Sequence, residues 1–232
     1  MVHMRGQMRP SRLFNDIGRT ATRAAAVVLI SAACILSAAG RGEARSLKLV
    51  AFGDSLTAGL GVSPADSFPG QLEKALRDKS HDVTVLNAGV SGDTLQNGLD
   101  RFDWSIPDDA DAVILELGAN DTLRGIDPAI SRATLDKLLS RLQTRKLPVL
   151  LAGMKAAANW GNSYVDAFEA MYTDLAAKYA LPLYPFFLDG VALDPALNQQ
   201  DGLHPNPKGV AIIVSRILPA VETLLTKIPA KP

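Results

Sequence analysis

Cysteine is almost absent from this sequence, since its 232 residues include only Cys34. One cysteine cannot close a disulfide within the chain, so the fold must be stable through its core alone. Acylation at Cys34 is disfavoured because Ser31 stands where a lipoprotein signal has leucine and apolar residues continue past the cysteine. Cys34 lies in an amino-terminal stretch that we expect to be removed, so the mature domain has no thiol. Cysteine-based nucleophilic catalysis is therefore excluded.

An excess of one charge, internal repeats and low-complexity linkers are also missing. Lysine plus arginine and aspartate plus glutamate balance at 24 each, and no basic block follows residue 45. A nucleic-acid partner is therefore not expected, and no motif indicates a particular oligomeric state. With 47% hydrophobic and 21% charged residues, residues 45–232 are long and apolar enough to form one domain with a substantial core.

Residues 1–44 have the pattern of a secretory signal peptide. Arginines precede an uncharged stretch from Ala24 to Ala39, and the small residues Gly42 and Ala44 follow. This order predicts cleavage after Ala39 or Ala44 and a periplasmic or secreted protein. A retained membrane anchor is the alternative, although the uncharged stretch is shorter than the roughly 20 residues that a spanning helix prefers.

After the leader, apolar runs of strand type alternate with segments of helical period. Continuous apolar strands separated by helices indicate a parallel sheet covered on both faces. The sequence predicts a three-layer α/β/α domain with a central, mainly parallel, five-stranded sheet of flavodoxin-like type, whose ligands bind at the carboxyl ends of the strands. The predicted strands are Leu47–Phe52, Val83–Asn87, Ala112–Leu117, Val149–Ala152 and Leu183–Tyr184; the predicted helices are Phe68–Lys79, Leu95–Phe102, Pro128–Arg145, Tyr164–Tyr179 and Pro207–Thr226, with Asp127 and Asn206 as caps.

The first predicted strand stops abruptly in a turn that carries one hydroxyl, Gly53-Asp54-Ser55-Leu56. Ser55 therefore lies at the carboxyl end of a strand, where a nucleophile can meet a substrate. The alternative is that Asp-Ser only caps a helix, as these residues often do. The choice between the two depends on partners elsewhere in the chain.

A serine hydroxyl needs a base to take its proton, and histidine is the usual one. Of the three histidines, His3 is in the leader and His81 is in a polar turn before a strand. His204 follows Asp201 and Gly202, and Asp201 can fold back to hold one ring nitrogen while the other faces Ser55. The pattern thus predicts a Ser55–His204–Asp201 triad. The alternative is a loop that caps the last helix, with Asp201 and His204 solvated.

Acyl transfer also needs donors for a developing oxyanion. Gly92 follows the second predicted strand and Asn120 follows the third. With the backbone N–H of Ser55, they offer three donors at one edge of the sheet. For three aspartates beside these residues, Asp54, Asp93 and Asp121, we expect structural roles such as accepting backbone N–H bonds.

The blocks together resemble the SGNH (GDSL) hydrolase family. Gly53-Asp54-Ser55-Leu56 matches its first block, Gly92 its second, Gly118-Ala119-Asn120-Asp121 its third and Asp201-Gly202-Leu203-His204 its last. The chain looks most similar to the small periplasmic esterases of the thioesterase I/lysophospholipase L1 type, which usually carry a second glycine in place of Ala119. The resemblance implies the SGNH hydrolase fold, Ser55 as nucleophile, His204 as base, Asp201 as its orienter, and Ser55, Gly92 and Asn120 as the oxyanion hole.

The expected activity is hydrolysis of carboxylic esters or thioesters through an acyl-enzyme on Ser55, without a metal or an organic cofactor. The resemblance implies a small-molecule ester or thioester as substrate, with lysophospholipids, acyl thioesters and aryl esters as candidates and with transient contact with lipid. One alternative is a carbohydrate acetylesterase of the same fold. Another is a flavodoxin-type module that binds a phosphate or nucleotide, although the first block lacks the Gly-Lys-Ser/Thr ending of a P-loop.

Apolar side chains after the strands are candidates for a substrate groove. They are Leu56, Leu123, Ile126, Trp160 and Leu203. The segment from Met154 to Asn162 is a candidate wall or mobile loop of this groove. The alternative is that these residues only pack the core or cover the sheet.

Overall fold

The computed structural model describes residues 1–2 and 45–229. The predicted signal peptide and its cleavage sites lie outside the described residues, as does His3. Within the described part of the chain, no helix is both long enough and apolar enough to cross a membrane.

Five parallel strands form one sheet, as predicted. They are β1 (Leu47–Gly53), β2 (Val83–Gly89), β3 (Ala112–Glu116), β4 (Val149–Ala152) and β5 (Leu183–Tyr184), in the order β2-β1-β3-β4-β5. This order is the flavodoxin-like one, and its switch point lies between β1 and β3. In the register of the sheet, Gly53 pairs with Gly89 on one side and with Glu116 on the other. The residues after β1, β2 and β3 therefore emerge side by side.

Eight helices cover the sheet within the described residues. They are α1 (Ser55–Ala58), α2 (Phe68–Asp78), α3 (Leu95–Asp100), α4 (Phe102–Ser105), α5 (Ala119–Leu123), α6 (Pro128–Thr144), α7 (Asn162–Lys178) and α8 (Pro207–Leu225). Helix α2 packs on α8, whereas α6 packs on α3 and α7. Right-handed crossovers place these two groups on opposite faces of the sheet, which gives the three layers that the sequence predicts.

Helices α6 and α8 begin where the sequence predicts, because their first turns are capped, whereas α7 begins at Asn162, two residues before the predicted Tyr164, and its N-cap Gly161 makes no side-chain cap bond. Asp127 accepts the backbone N–H of Ala129 at the start of α6, and Asn206 accepts those of Lys208 and Gly209 at the start of α8. The prediction of one helix over Leu95–Phe102 was wrong in detail: α3 ends at Asp100, and α4 begins at Phe102 after Arg101. The side chain of Arg101 turns inward at this break, as described below.

The core lies between the sheet and the two helical layers. The four residues 49–52 of β1 are fully buried, as are residues 112–115 of β3. Because both strands are fully buried in the sheet, the turns that follow them start from fixed positions. The site at the carboxyl edge is built on these turns.

Candidate active site

Ser55 is placed by a tight turn between β1 and α1. The glycine before it is required for space, since a Cβ at Gly53 would lie 2.5 Å from the carbonyl oxygen of Glu116. Asp54 caps α1 through its Oδ1, which accepts the backbone N–H of Leu56 at 3.0 Å. Asp54 thus caps a helix, as the alternative interpretation expected, and that helix begins at Ser55, the predicted nucleophile. The two interpretations of this turn are compatible.

His204 reaches Ser55 from the loop before α8. Within this loop, the backbone N–H of Gln199 donates to the carbonyl oxygen of His204, and Gly202 takes the left-handed φ of +70° that the sharp turn needs. The His204 Nε2 lies 2.8 Å from Ser55 Oγ. The structure therefore brings together a hydroxyl and an imidazole that are 149 positions apart in sequence.

Asp201 holds the other side of the His204 ring. Its Oδ2 lies 2.6 Å from His204 Nδ1, while its Oδ1 accepts the backbone N–H groups of Leu203 and His204. The N–H bond from His204, followed by the bond from Leu203 and the bond with the imidazole, lowers the pKa of Asp201 from 3.8 to about 2. Asp201 is consequently a carboxylate at neutral pH and favours the tautomer with the proton on Nδ1. That tautomer leaves Nε2 free to accept the Ser55 proton.

Within the described residues, the backbone N–H groups of Ser55 and Gly92 have no hydrogen-bond acceptor. Gly92 has a φ of +87°, which favours glycine and turns its peptide at this position. Arg124 Nη2 donates to the carbonyl oxygen of Gly92 at 2.7 Å. This bond ties the turn after β2 to the end of α5.

The side chain of Asn120, at the start of α5, lies across the same edge. Its Nδ2 donates to the carbonyl oxygen of Asp93 at 3.0 Å and to Asp54 Oδ2 at 3.2 Å. The amide nitrogen of Asn120, and not its oxygen, thus faces the two neighbouring turns. The three predicted donor residues therefore come from the ends of three adjacent strands.

Residues 51–212 match the GDSL-like lipase/acylhydrolase family. The chain belongs to this family. The recognition made from the sequence blocks is therefore confirmed, and the chain is a hydrolase of ester bonds.

Relatives of this GDSL hydrolase are enzymes with related names. An arylesterase from Vibrio mimicus is 39% identical over 164 residues, which is 70% of this chain and 82% of that protein. The thioesterase 1/protease 1/lysophospholipase L1 of Escherichia coli K12 is 38% identical over 159 residues, 68% of this chain and 75% of its own length. Among solved structures, the SGNH-hydrolase family esterase AlinE4 is 45% identical with a TM-score of 0.66, and the match covers 82% of this chain and 100% of that one.

Arg101 supports the catalytic edge of this GDSL hydrolase, and sequence reasoning missed it. Its guanidinium donates to Asp93 Oδ2 at 2.5 Å, to the carbonyl oxygen of Ala88 at 2.9 Å and to that of Gly53 at 2.8 Å. It also lies 4.2 Å from the ring centre of Phe52. The buried Arg101 guanidinium thereby joins the ends of β1 and β2 to Asp93, whose carbonyl oxygen accepts from Asn120. In sequence, Arg101 looks like any solvated helical residue, so no signal indicates this role.

A pair of buried carboxyl groups, Asp54 and Glu116, lies beside Ser55. Burial raises the pKa of Asp54 from 3.8 to about 6, against the lowering effects of the Leu56 N–H, the charge of His204 and the Asn120 amide. Burial, followed by the charge of Asp54, holds the pKa of Glu116 well above its ordinary value of 4.5. Glu116 Oε2 accepts the Thr57 hydroxyl at 2.7 Å, and its Oε1 has no partner in the described structure. Sequence reasoning missed Glu116, although a glutamate that closes an apolar strand is itself a signal.

The candidate groove residues fall into two groups. Leu56 is packed in the core and is only 8% exposed, so it offers little surface to a substrate. Leu123, Trp160 and Leu203 are each about half exposed at this edge, and Ile126 is partly buried. Trp160 is tied down, since its Nε1 donates to the carbonyl oxygen of Thr122 at 2.7 Å and its ring packs over Gly125.

His81 lies apart from this site. Its Nε2 is 3.3 Å from Glu222 Oε1, on the helix α8 side of the molecule. In the part of the chain that the structure describes, no group of three or more histidine, cysteine, aspartate or glutamate side chains could hold a metal ion.

Proposed function

We propose that this GDSL hydrolase cleaves carboxylic esters and thioesters through an acyl-enzyme on Ser55. The observation that carries the proposal is the hydrogen-bonded series from Ser55 Oγ to His204 Nε2 at 2.8 Å and from His204 Nδ1 to Asp201 Oδ2 at 2.6 Å. Nucleophile, base and orienting carboxylate are in hydrogen-bond contact, which is the geometry that serine catalysis requires.

In the first half of the reaction, Ser55 Oγ attacks the carbonyl carbon of the substrate and its proton passes to His204 Nε2. Negative charge develops on the former carbonyl oxygen, which the N–H groups of Ser55 and Gly92 and the amide of Asn120 stabilise. The intermediate collapses, the bond to the alcohol or thiol breaks, and His204 returns its proton to that leaving group. Ser55 now carries the acyl group as an ester.

In the second half, a water molecule attacks the acyl carbon while His204 Nε2 takes one of its protons. The new intermediate breaks its bond to Ser55 Oγ, and His204 gives the proton back to that oxygen. The carboxylic acid leaves and the enzyme is restored. Asp201 remains a carboxylate throughout and stabilises the imidazolium that forms twice.

The substrate class follows from the shape of the edge and from the names of the relatives. Trp160, Leu123 and Leu203 offer apolar surface near the triad without enclosing it, which suits an acyl chain and tolerates several leaving groups. The relatives are named arylesterase and thioesterase 1/protease 1/lysophospholipase L1. We therefore propose aryl esters, acyl thioesters and lysophospholipids as substrates, with contact with lipid limited to catalysis.

Export is part of this proposal. The arginine-rich, then uncharged, then small-residue pattern of residues 1–44 supports a cleaved signal peptide. A mature domain of residues 45–232 that contains no cysteine suits an oxidising compartment. The place of action is accordingly the periplasm or the medium.

The test is a rate series with p-nitrophenyl acetate, butyrate, octanoate and palmitate, in which Ser55→Ala is the control. We expect activity that extends to butyrate and octanoate and disappears in Ser55→Ala. An organophosphonate should label one serine in the wild type and none in Ser55→Ala. Labelling of another serine contradicts the assignment, and a steep fall beyond acetate favours an acetylesterase instead.

A further inference from the structure

Both amide hydrogens of Asn120 are already used in the resting enzyme. One goes to the carbonyl oxygen of Asp93 and the other to Asp54 Oδ2. An amide nitrogen has two hydrogens, so a third acceptor can be served only if one of these bonds is given up or shared. A substrate oxyanion at the free N–H groups of Ser55 and Gly92 is such a third acceptor.

The two bonds of Asn120 differ in length. Asp93 is fixed by the buried guanidinium of Arg101, and its bond to Asn120 is 3.0 Å long. The bond to Asp54 is longer, at 3.2 Å. The hydrogen that faces Asp54 is therefore the one that an oxyanion can take.

The acceptors also decide which end of the Asn120 amide faces the nucleophile. A carbonyl oxygen and a carboxylate can only accept, so rotating the amide by 180° would set its oxygen against both of them. Asp54 is fully buried, which leaves no water to relieve such a contact. The Asp54 carboxylate thus fixes the orientation of the Asn120 amide, as the Asp201 carboxylate fixes the orientation of the His204 ring.

We propose that Asp54 is a positioning residue for catalysis: its Oδ2 fixes the Asn120 amide with the NH₂ group toward the reacting oxygen and yields one hydrogen when the oxyanion forms. The inference rests on the proposed function, since it assigns Asn120 to the oxyanion hole. It adds that the aspartate beside the nucleophile acts through Asn120, in addition to capping α1.

Asp54→Asn separates these two tasks. The variant keeps an oxygen that can accept the Leu56 N–H and so preserves the cap. It places a second NH₂ group against the NH₂ of Asn120, where two donors repel and the amide rotates or moves away. Asp121→Asn is the matched control, because Asp121 is also buried and also accepts a backbone N–H, that of Leu95, but among the described residues its side chain bonds to Ser131 and not to Asn120 Nδ2.

The experiment is a double-mutant cycle with p-nitrophenyl butyrate at pH 8, using wild type, Asp54→Asn, Asn120→Ala and the double variant. We expect Asp54→Asn and Asn120→Ala each to lower kcat about 100-fold with KM within about threefold, as loss of one oxyanion donor does. The double variant should lose no more than either single one, because Asp54 acts through Asn120. Asp121→Asn should stay within about threefold of wild type.

Two outcomes overturn the inference. One is an unchanged kcat in Asp54→Asn, and the other is a further loss of about 100-fold when Asp54→Asn is added to Asn120→Ala, since a role in folding or at Ser55 would persist there. The proposed function fails separately, through activity in Ser55→Ala.

A measurement on the wild type tests the inference without relying on the activity of the variants. The side-chain amide signals of Asn120 in a ¹H–¹⁵N spectrum are identified by their absence in Asn120→Ala. When a phosphonate forms a tetrahedral adduct on Ser55, we expect one of the two amide protons to shift strongly and the other, bound to Asp93, to stay in place. An adduct that moves neither proton overturns the inference.

Discussion

Replacing Asp54 by asparagine should make the protein progressively more stable relative to wild type as the pH rises, while making it a poorer catalyst. Asp54 is fully buried, and burial raises its pKa from 3.8 to about 6. Between these two values the folded protein holds a proton that the unfolded chain has released. Stability therefore falls as the pH rises through this window, and the loss remains at every higher pH.

The size of the effect follows from the shift. About two pKa units correspond to about 3 kcal/mol, of which about 2 kcal/mol develops between pH 4.5 and pH 7.5. Glu116 acts in the same direction, because the charge of Asp54 raises its pKa further. Asparagine has no charge to bury. The unfolding free energy of Asp54→Asn minus that of wild type should therefore be about 2 kcal/mol larger at pH 7.5 than at pH 4.5, which means that the variant gains stability relative to wild type.

The assay is urea unfolding of both proteins at the two pH values and constant ionic strength. Asp108→Asn serves as the control, because it makes the same substitution at a fully exposed carboxyl group, where burial does not act. A difference between wild type and Asp54→Asn that is the same at pH 4.5 and pH 7.5, within about 0.5 kcal/mol, would refute the burial argument. The experiment does not depend on activity, so it tests the electrostatics of the site apart from its chemistry.

Three further predictions concern residues around the site. Arg101→Met leaves the buried carboxylate of Asp93 without its cation, and urea unfolding should show a loss of about 3–5 kcal/mol; a neutral result would mean that water enters to replace the guanidinium. Gly118→Ala places a Cβ 2.1 Å from Tyr172 Oη at a φ of +122°, so it should lower the free energy of unfolding by about 2 kcal/mol or more. Adding Tyr172→Phe should restore only the part of that free energy that is lost through the contact with Tyr172 Oη. Because the Asp201 pKa is lowered to about 2, Asp201 stays charged from pH 4 upward and cannot cause an acid limb of kcat/KM above that pH. Asp201→Asn should lower kcat on the order of 1,000-fold or more by losing the Nδ1–H tautomer. A wild-type pH profile whose acid limb above pH 4 is due to Asp201 would contradict this.

Much of the fold could be predicted because each strand is a short apolar run bounded by turn residues. All five strands lie within two residues of their predicted bounds, and the family is confirmed. The short helix α5 was not predicted and α1 appeared only as the capping alternative at Asp54-Ser55, since four or five residues carry no periodic signal. The triad remains a prediction about chemistry, although the structure places Ser55, His204 and Asp201 in contact.

What the sequence could not indicate are the buried polar contacts between distant segments. Asp54 and Asn120 are 66 positions apart, and nothing local to either shows that one accepts from the other. Arg101 lies in a predicted helix where an exposed side chain is the ordinary expectation, yet it bonds to the ends of two strands. Leu56 shows the converse, because a candidate for the groove turned out to belong to the core. Such contacts depend on the packed sheet, which only the assembled structure defines.

Ser55, the proposed nucleophile, follows the first strand of the described fold, whereas His204, the proposed base, precedes the last described helix, α8, which docks on α2. In a chain whose last helix has not yet packed on α2, the His204 imidazole does not lie beside the Ser55 hydroxyl. Such a chain cannot cleave an ester by the proposed mechanism. Recovery of turnover during refolding should coincide with the docking of that helix and lag behind formation of the sheet.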